Sequence, residues 1–274
     1  MASDVTKHPY REFERSGWER AAASYADTFE EVSRQFVPAL LDSIGISAGC
    51  KLLDVACGPG VVAAAAALRG ADVTGVDFSP NMVAEAKRRQ PSLNFREGDA
   101  EALPFQDALF DAVVMGFGLH HFPFPSRAVS EAWRVLRVGG RIAFTTWAPP
   151  DEHVMHKIVV GAVREAGDVG AALPVAPGGA VNEISICARF LNDAGFVAAS
   201  VCVEIIKTHV RIDSAQHLMD MLVAGTVRLS TTLRSQPSEK AAAICAAIDR
   251  GMTPYRDGDH FRFPVAAILG VGTK

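Results

Sequence analysis

Leu52-Leu53-Asp54-Val55-Ala56-Cys57-Gly58-Pro59-Gly60 runs without a break into Val61-Val62-Ala63-Ala64-Ala65-Ala66-Ala67-Leu68, and the reading of this stretch decides the fold. An apolar run with β-branched Val55 ends in a Gly-x-Gly turn, and an alanine-rich segment follows, so the spacing predicts strand, tight turn and helix. Gly58 and Gly60 suit such a turn because glycine accepts positive φ and its missing Cβ lets a ligand approach the backbone. The helix that starts there presents unpaired N–H groups to that ligand. Gly58, Gly60 and Ala63 also satisfy Gly-x-Gly-x-x-Ala, the spacing of a dinucleotide site, with Asp77 lying 17 residues past Gly60 to accept ribose hydroxyls. Asp54 changes the balance: a carboxylate near the end of a buried strand is costly without a partner. Such a group either receives the ammonium of an amino-acid ligand or pins the turn by accepting backbone N–H bonds.

Four further stretches carry the same kind of signal: GVDFSPNMVAEAK (75–87), EGDAEALPF (97–105), FDAVVMGFGLHHF (110–122) and LRVGGRIAFTTW (136–147). In order and spacing, the five together resemble the class I S-adenosylmethionine-dependent methyltransferases, in particular the group of ubiquinone/menaquinone C-methyltransferases and small-molecule methyltransferases. The resemblance is dense over residues 35–147 and loose elsewhere. It implies an α/β fold, a Rossmann-like seven-stranded, mostly parallel sheet with an antiparallel last strand and a helical cap. It also implies S-adenosylmethionine as cofactor and S-adenosylhomocysteine as product. On that pattern Asp54, Ala56, Cys57, Gly58, Pro59 and Gly60 face the methionine portion and Asp77 the ribose. Phe78, Met82, Asp99 and Ala100 border the adenine, Gly116 and Phe117 lie beside the sulfonium, Tyr25 closes over the cofactor from the N-terminal arm, and Glu101 and His121 are further cofactor-binding candidates.

His120 and His121 follow the fourth strand, where an open parallel sheet places its ligand crevice. Their ordinary pKa lies near working pH, so both are candidate catalytic bases, and both are equally readable as structural side chains. Some sugar methyltransferases of the family pair such histidines with an acid after the fifth strand. Here that place reads Thr145-Thr146-Trp147, with no carboxylate before Asp151.

The remaining readings are coarser. With 274 residues, 49% hydrophobic and 21% charged, the chain suits one α/β domain over 1–274, its cofactor core at 35–147 and its cap and substrate side at 1–32, 148–182 and 208–260. No apolar run reaches the roughly 18 residues of a membrane span, and the first residues lack a signal-peptide core, so a cytoplasmic location is expected. Five scattered cysteines form no Cys-x-x-Cys pair, which argues against a zinc site or disulfide framework. A charge of −4 without a basic stripe argues against a nucleic-acid partner, while a homodimer is left open.

Aromatic residues Phe13, Trp18, Tyr25 and Phe29 suggest short cap helices, and 33–44 reads as one helix. The glycine-rich 167–180 segment reads as a mobile loop. In the helical stretch 214–251, Met219, Met221, Leu222, Val223 and Leu229 are expected to line an apolar acceptor pocket. Arg211, Arg228 and Arg234 are candidates to offset an acidic group there. Two other functions fit parts of the pattern: a nicotinamide-dependent oxidoreductase, from the glycine spacing, and a non-catalytic cofactor-binding protein.

Overall fold

A computed structural model describes residues 8–170 and 172–274. The first seven residues, on which the signal-peptide reading rests, and Ala171 of the glycine-rich loop lie outside the described residues. Seven strands form the sheet: β1 (Lys51–Val55), β2 (Asp72–Asp77), β3 (Asn94–Glu97), β4 (Phe110–Gly116), β5 (Leu136–Trp147), β6 (Cys202–Ile212) and β7 (His260–Thr273). Their spatial order is β3-β2-β1-β4-β5-β7-β6, and a two-residue strand, Arg256–Asp257, pairs with the start of β7. β1 to β5 are parallel, and β7 runs antiparallel to both β5 and β6. The expected seven-stranded, mostly parallel sheet with an antiparallel last strand is what the chain forms.

Helices α4 (Val61–Leu68) and α5 (Pro80–Arg89) follow β1 and β2, and α6 (Pro125–Val135) and α8 (Ile184–Ala194) precede β5 and β6. Ser79 caps α5 through the Met82 N–H, with Pro80 in the first turn, as Ser-Pro predicts. One core joins Leu52, Val62, Ala66, Val83 and Phe95, and a second joins Val113, Met115, Ala128, Val135 and Leu191. The sheet is therefore sealed on both faces, which is why its central strands are almost wholly apolar. Gly139 and Gly140 do not end a helix. They lie inside β5, Gly139 at φ +77°, where the pairing with β4 skips from Phe110–Leu136 to Ala112–Arg141. The glycines serve a bulge.

The cap differs from expectation in its parts. α1 (Pro9–Tyr25) is one 17-residue helix rather than several short ones, capped by the His8 side chain accepting the Tyr10 N–H. The segment read as one helix over 33–44 is two, α2 (Glu30–Arg34) and α3 (Val37–Asp42). Pro38 explains the break, since it has no N–H to continue the ladder. After β5 come α7 (Val154–Ala166), then α9 (Ala215–Gly225), α10 (Arg228–Arg234) and α11 (Ala241–Met252) from the insertion between β6 and β7. The β6–β7 ribbon is long, paired from Cys202–Val271 to Ile212–Phe261, and its far end carries Val210, Ile212, Phe261 and Phe263 into a third core with α7, α9 and α11. The insertion thus has an apolar foundation of its own on the sheet. The 167–180 loop is tied at several points, by Gln236 to Asp168, Pro123 to Gly178 and Arg228 to Pro174, rather than standing free. Among the described residues no helix is long and apolar enough to cross a membrane.

The N-terminal arm meets the insertion at close quarters. A Cβ on Gly225 would fall 2.2 Å from Phe29 Cβ and 3.1 Å from the Phe29 backbone nitrogen. Backbone cannot yield as a flexible side-chain tip does, so Gly225→Ala is expected to destabilise the protein by about 1–3 kcal/mol, read from the urea unfolding midpoint. An unchanged midpoint contradicts this packing.

Candidate active site

The carboxyl ends of β1, β2, β4 and β5 open into a cavity of about 240 Å³ closed by α1, the 25–40 segment and the start of α10. The backbone turns sharply where the strands leave the sheet. Ala56, directly after β1, has φ +55°, and Phe117, directly after β4, has φ +56°. Two non-glycine residues in the left-handed region flank one cavity, a conformation that the surroundings must hold. Phe117 is held by its N–H, which Thr145 meets with both its carbonyl and its hydroxyl oxygen. The glycines divide the work. Gly58, at φ +51°, faces open space and lines the cavity, whereas Gly60, at φ +88°, is backed by Phe95 and serves the turn into α4.

Two carboxylates hold this turn. Asp54 is fully buried; its Oδ2 accepts the Ala63 N–H at 3.0 Å, and its Oδ1 has no partner among the described residues. Burial pushes its carboxyl up to about 8, with the charge of Asp77 adding to the rise and the Ala63 N–H opposing it. Asp77 accepts the N–H of Gly58 through Oδ2 and that of Ser79 through Oδ1, each at 2.9 Å. It therefore ties the glycine turn to the start of α5. Burial raises Asp77 to about 6, against the pull of those N–H groups. The Cys57 thiol, buried between the two acids, is pushed well up and stays protonated.

The other expected residues divide between two spaces. Tyr25, Ala56, Pro59, Phe78, Met82, Gly116, Phe117, His120 and His121 line the main cavity. Asp99, Ala100 and Glu101 line a smaller adjoining one, which shares Ala56, Asp77, Phe78 and His121 with the first. Arg11 of α1 pairs with both Asp99 and Glu101 there. Tyr25 shares a hydrogen bond with Ser33 at 3.0 Å, and burial raises its hydroxyl to about 12. The insertion supplies Gly225 to Leu229 to the cavity, so of the five apolar residues expected there only Leu229 lines it. Met221 and Leu222 are buried in the third core instead, on the face of α9 that packs inward. Arg228 borders the cavity; Arg211 pairs with Asp213 at the surface, and Arg234 bonds Ser230.

Sequence reasoning missed the aromatic wall. Trp147 stands 4.2 Å from Phe117 between ring centroids, and Phe36 packs edge-on against both. It also missed Glu14, a buried acid on α1 that meets His121. Its signal was present as helical spacing, since Tyr10, Glu14 and Trp18 recur every four residues. Among the described residues no group of His, Cys, Asp or Glu is arranged to hold a metal.

The profile described as Methyltransferase domain matches residues 53–144, the stretch that carries both acids, the glycine turn and the histidine pair. Over these residues the chain is similar to the methyltransferase domain family. Demethylmenaquinone methyltransferase of Beutenbergia cavernae is 47% identical over 116 residues, 40% of this chain and 48% of that protein. The chain thus spans about half the length of such curated relatives. Among solved structures, the YcgJ protein of Bacillus subtilis aligns over 88% of this chain and 98% of its own with a TM-score of 0.57 and 21% identity. Phosphoethanolamine N-methyltransferase 2 of Haemonchus contortus, solved with phosphomonomethylethanolamine and S-adenosylhomocysteine, aligns over 88% of this chain and 52% of its own, with a TM-score of 0.52 and 18% identity. These two likenesses are of fold.

The two buried acids have a consequence for stability. The folded value of Asp54, about 8, lies above the ordinary carboxylate value near 3.9, so between those pH values the folded protein binds more protons than the unfolded chain. Its contribution is fully present below about pH 4 and is lost as pH rises through 8, and Asp77 adds the same sign between about 4 and 6. Below the ordinary histidine value near 6.5, the lowered imidazoles of His120, His153 and His156 contribute the opposite sign, so the unfolding midpoint of the ligand-free protein is expected to fall from pH 7 to 8.5, and Asp54→Asn to flatten that fall. An equally steep fall in Asp54→Asn removes Asp54 as its source.

Proposed function

We propose that this protein transfers the methyl group of S-adenosylmethionine to a carbon, oxygen or nitrogen atom of a small, largely apolar molecule, leaving S-adenosylhomocysteine. The observation that carries the reading is the unpartnered Oδ1 of Asp54, an acceptor buried beside a cavity that also holds the exposed face of Gly58. A buried carboxylate oxygen without a partner calls for a donor from the ligand, and an ammonium group supplies one. Asp54 and the 56–60 turn would hold the amino-acid end of the cofactor. The remaining lone pairs of Asp77 would take its ribose, Phe78 and Met82 would give its base an apolar face, and Asp99, Ala100 and Glu101 would border that base from the smaller cavity. When bound, S-adenosylmethionine supplies a methyl group on a positively charged sulfur, activated before the acceptor arrives.

The chain's own task is then placement in a dry site. Phe36, Phe117, Trp147 and Leu229 enclose the acceptor side with apolar surface, while Trp18 and Tyr25 close it from the N-terminal arm. His121, on the loop after β4, lines the cavity with His120 and with His156 of α7, and an imidazole there can take a proton from the acceptor. The same reading treats residues 1–274 as one cytoplasmic domain with 35–147 as cofactor core. It takes no nucleic acid as substrate, in keeping with the charge of −4.

Radiolabelled methyl transfer from S-adenosylmethionine to a panel of apolar phenols, enols and amines tests the proposal. Label is expected in one acceptor class. Trp147→Ala should lower that transfer by about 10- to 100-fold through misplacement of the acceptor, while affinity for S-adenosylhomocysteine stays within about threefold. Tight cofactor binding with no transfer to any acceptor contradicts the enzymatic reading.

A further inference from the structure

One face of α1 grips the histidine turn. Tyr10 donates its hydroxyl to the His120 carbonyl at 2.7 Å, Glu14 places Oε2 2.8 Å from His121 Nδ1, and Trp18 stands edge-on to the His121 ring at 4.9 Å. These three residues sit at positions i, i+4 and i+8, so a single helix face meets a single three-residue turn. Glu14 is completely buried, its Oε1 has no hydrogen-bond partner among the described residues, and its Oε2 meets the imidazole, with the Tyr10 hydroxyl close by. A carboxylate without a cation at such depth is costly, and the histidine is what the structure offers it.

The two histidines are differently equipped. His120 is enclosed, and burial together with the neighbouring histidines pushes its imidazole well below the ordinary value, so it holds a proton poorly. Its Nδ1 lies 3.4 Å from the Thr146 hydroxyl, a neutral neighbour. His121 lines both the main and the smaller cavity, and its Nδ1 is taken by an acid. An ionised carboxylate only accepts hydrogen bonds, so Nδ1 must carry the proton, and the lone pair is left on Nε2.

We propose that Glu14 is a positioning residue: it fixes His121 in the Nδ1–H tautomer, so that Nε2 takes the proton of an acceptor whose nucleophile carries one. The inference rests on the methyl-transfer reading. In the step it describes, the bond between the acceptor's nucleophilic atom and the methyl carbon forms while the carbon–sulfur bond breaks. The electron pair of the broken bond stays on sulfur, and the acceptor's proton moves to Nε2. Charge in the site balances on both sides. A positive sulfur beside a negative Glu14–His121 pair becomes a neutral thioether beside a neutral pair of carboxylate and imidazolium. Because Glu14 belongs to the arm that closes the cavity, the base is complete only when α1 is docked.

Long-range proton–nitrogen correlation spectra of the ¹⁵N-labelled full chain, above the titration range of histidine, read the tautomer directly. His121 is assigned by the signal lost in His121→Gln. The protein alone is expected to show His121 protonated on Nδ1 and unprotonated on Nε2. Glu14→Leu, of similar volume and without an acceptor, should move the unprotonated signal to Nδ1, the arrangement a free imidazole prefers. A wild-type His121 protonated on Nε2, or an unchanged pattern in Glu14→Leu, overturns the proposal. Should Glu14→Leu fail to fold, the wild-type spectrum still decides. Titration with S-adenosylhomocysteine is run beside it: absence of binding rejects the cofactor reading while leaving the tautomer result to judge Glu14 on its own.

Discussion

Two carboxylates buried within one turn of each other govern this structure. Asp54 and Asp77 stand at the ends of adjacent strands, are at most 5% exposed, and form no ion pair with Lys or Arg among the described residues. Backbone N–H groups are what satisfies them. Ala63 inside α4 answers Asp54, while Gly58 of the turn and Ser79 at the head of α5 answer Asp77. Two strands, one turn and two helix starts are thereby fixed around the same few atoms. Three N–H groups satisfy only part of two carboxylates, and one Asp54 oxygen is left without a partner among the described residues.

The second level of organisation is the closure of that site by segments remote in sequence. Arg11, Glu14 and Trp18 of α1 meet Asp99, His121 and the cavity wall, and Gly225 lets α9 settle on Phe29. The arm and the insertion also meet each other at Ser24, whose hydroxyl donates to the Ala224 carbonyl. The cap is thus one assembly built from both ends of the chain. It rests on the β6–β7 ribbon, whose projecting end supplies its own apolar core.

What could be read from sequence follows from distance along the chain. Strand, turn and helix over 52–68 were legible because each signal is local: β-branched and apolar residues, then glycines, then alanines. The Ser79-Pro80 cap was legible for the same reason. The split at Pro38 was locally visible too, and was masked by a helical period running through it. Glu14 and His121 are separated by 107 positions, and no local pattern announces that they touch. The Met219–Val223 stretch misled in the opposite way. Its apolar side chains are equally suited to a pocket or a core, and the inward face of α9 put Met221 and Leu222 in the core. Positive φ at Ala56 and Phe117 gave no sequence signal, since neither residue type prefers it.

The central claim is that the Asp54–Asp77 turn is built for an S-adenosyl amino acid rather than a dinucleotide, whose glycine spacing it also satisfies. Calorimetric titration of the purified chain with S-adenosylmethionine, S-adenosylhomocysteine and NAD, side by side, tests it most directly. The account predicts micromolar binding of the first two and none of NAD. Binding of NAD with neither of the others would contradict it and make residues 52–77 a dinucleotide site.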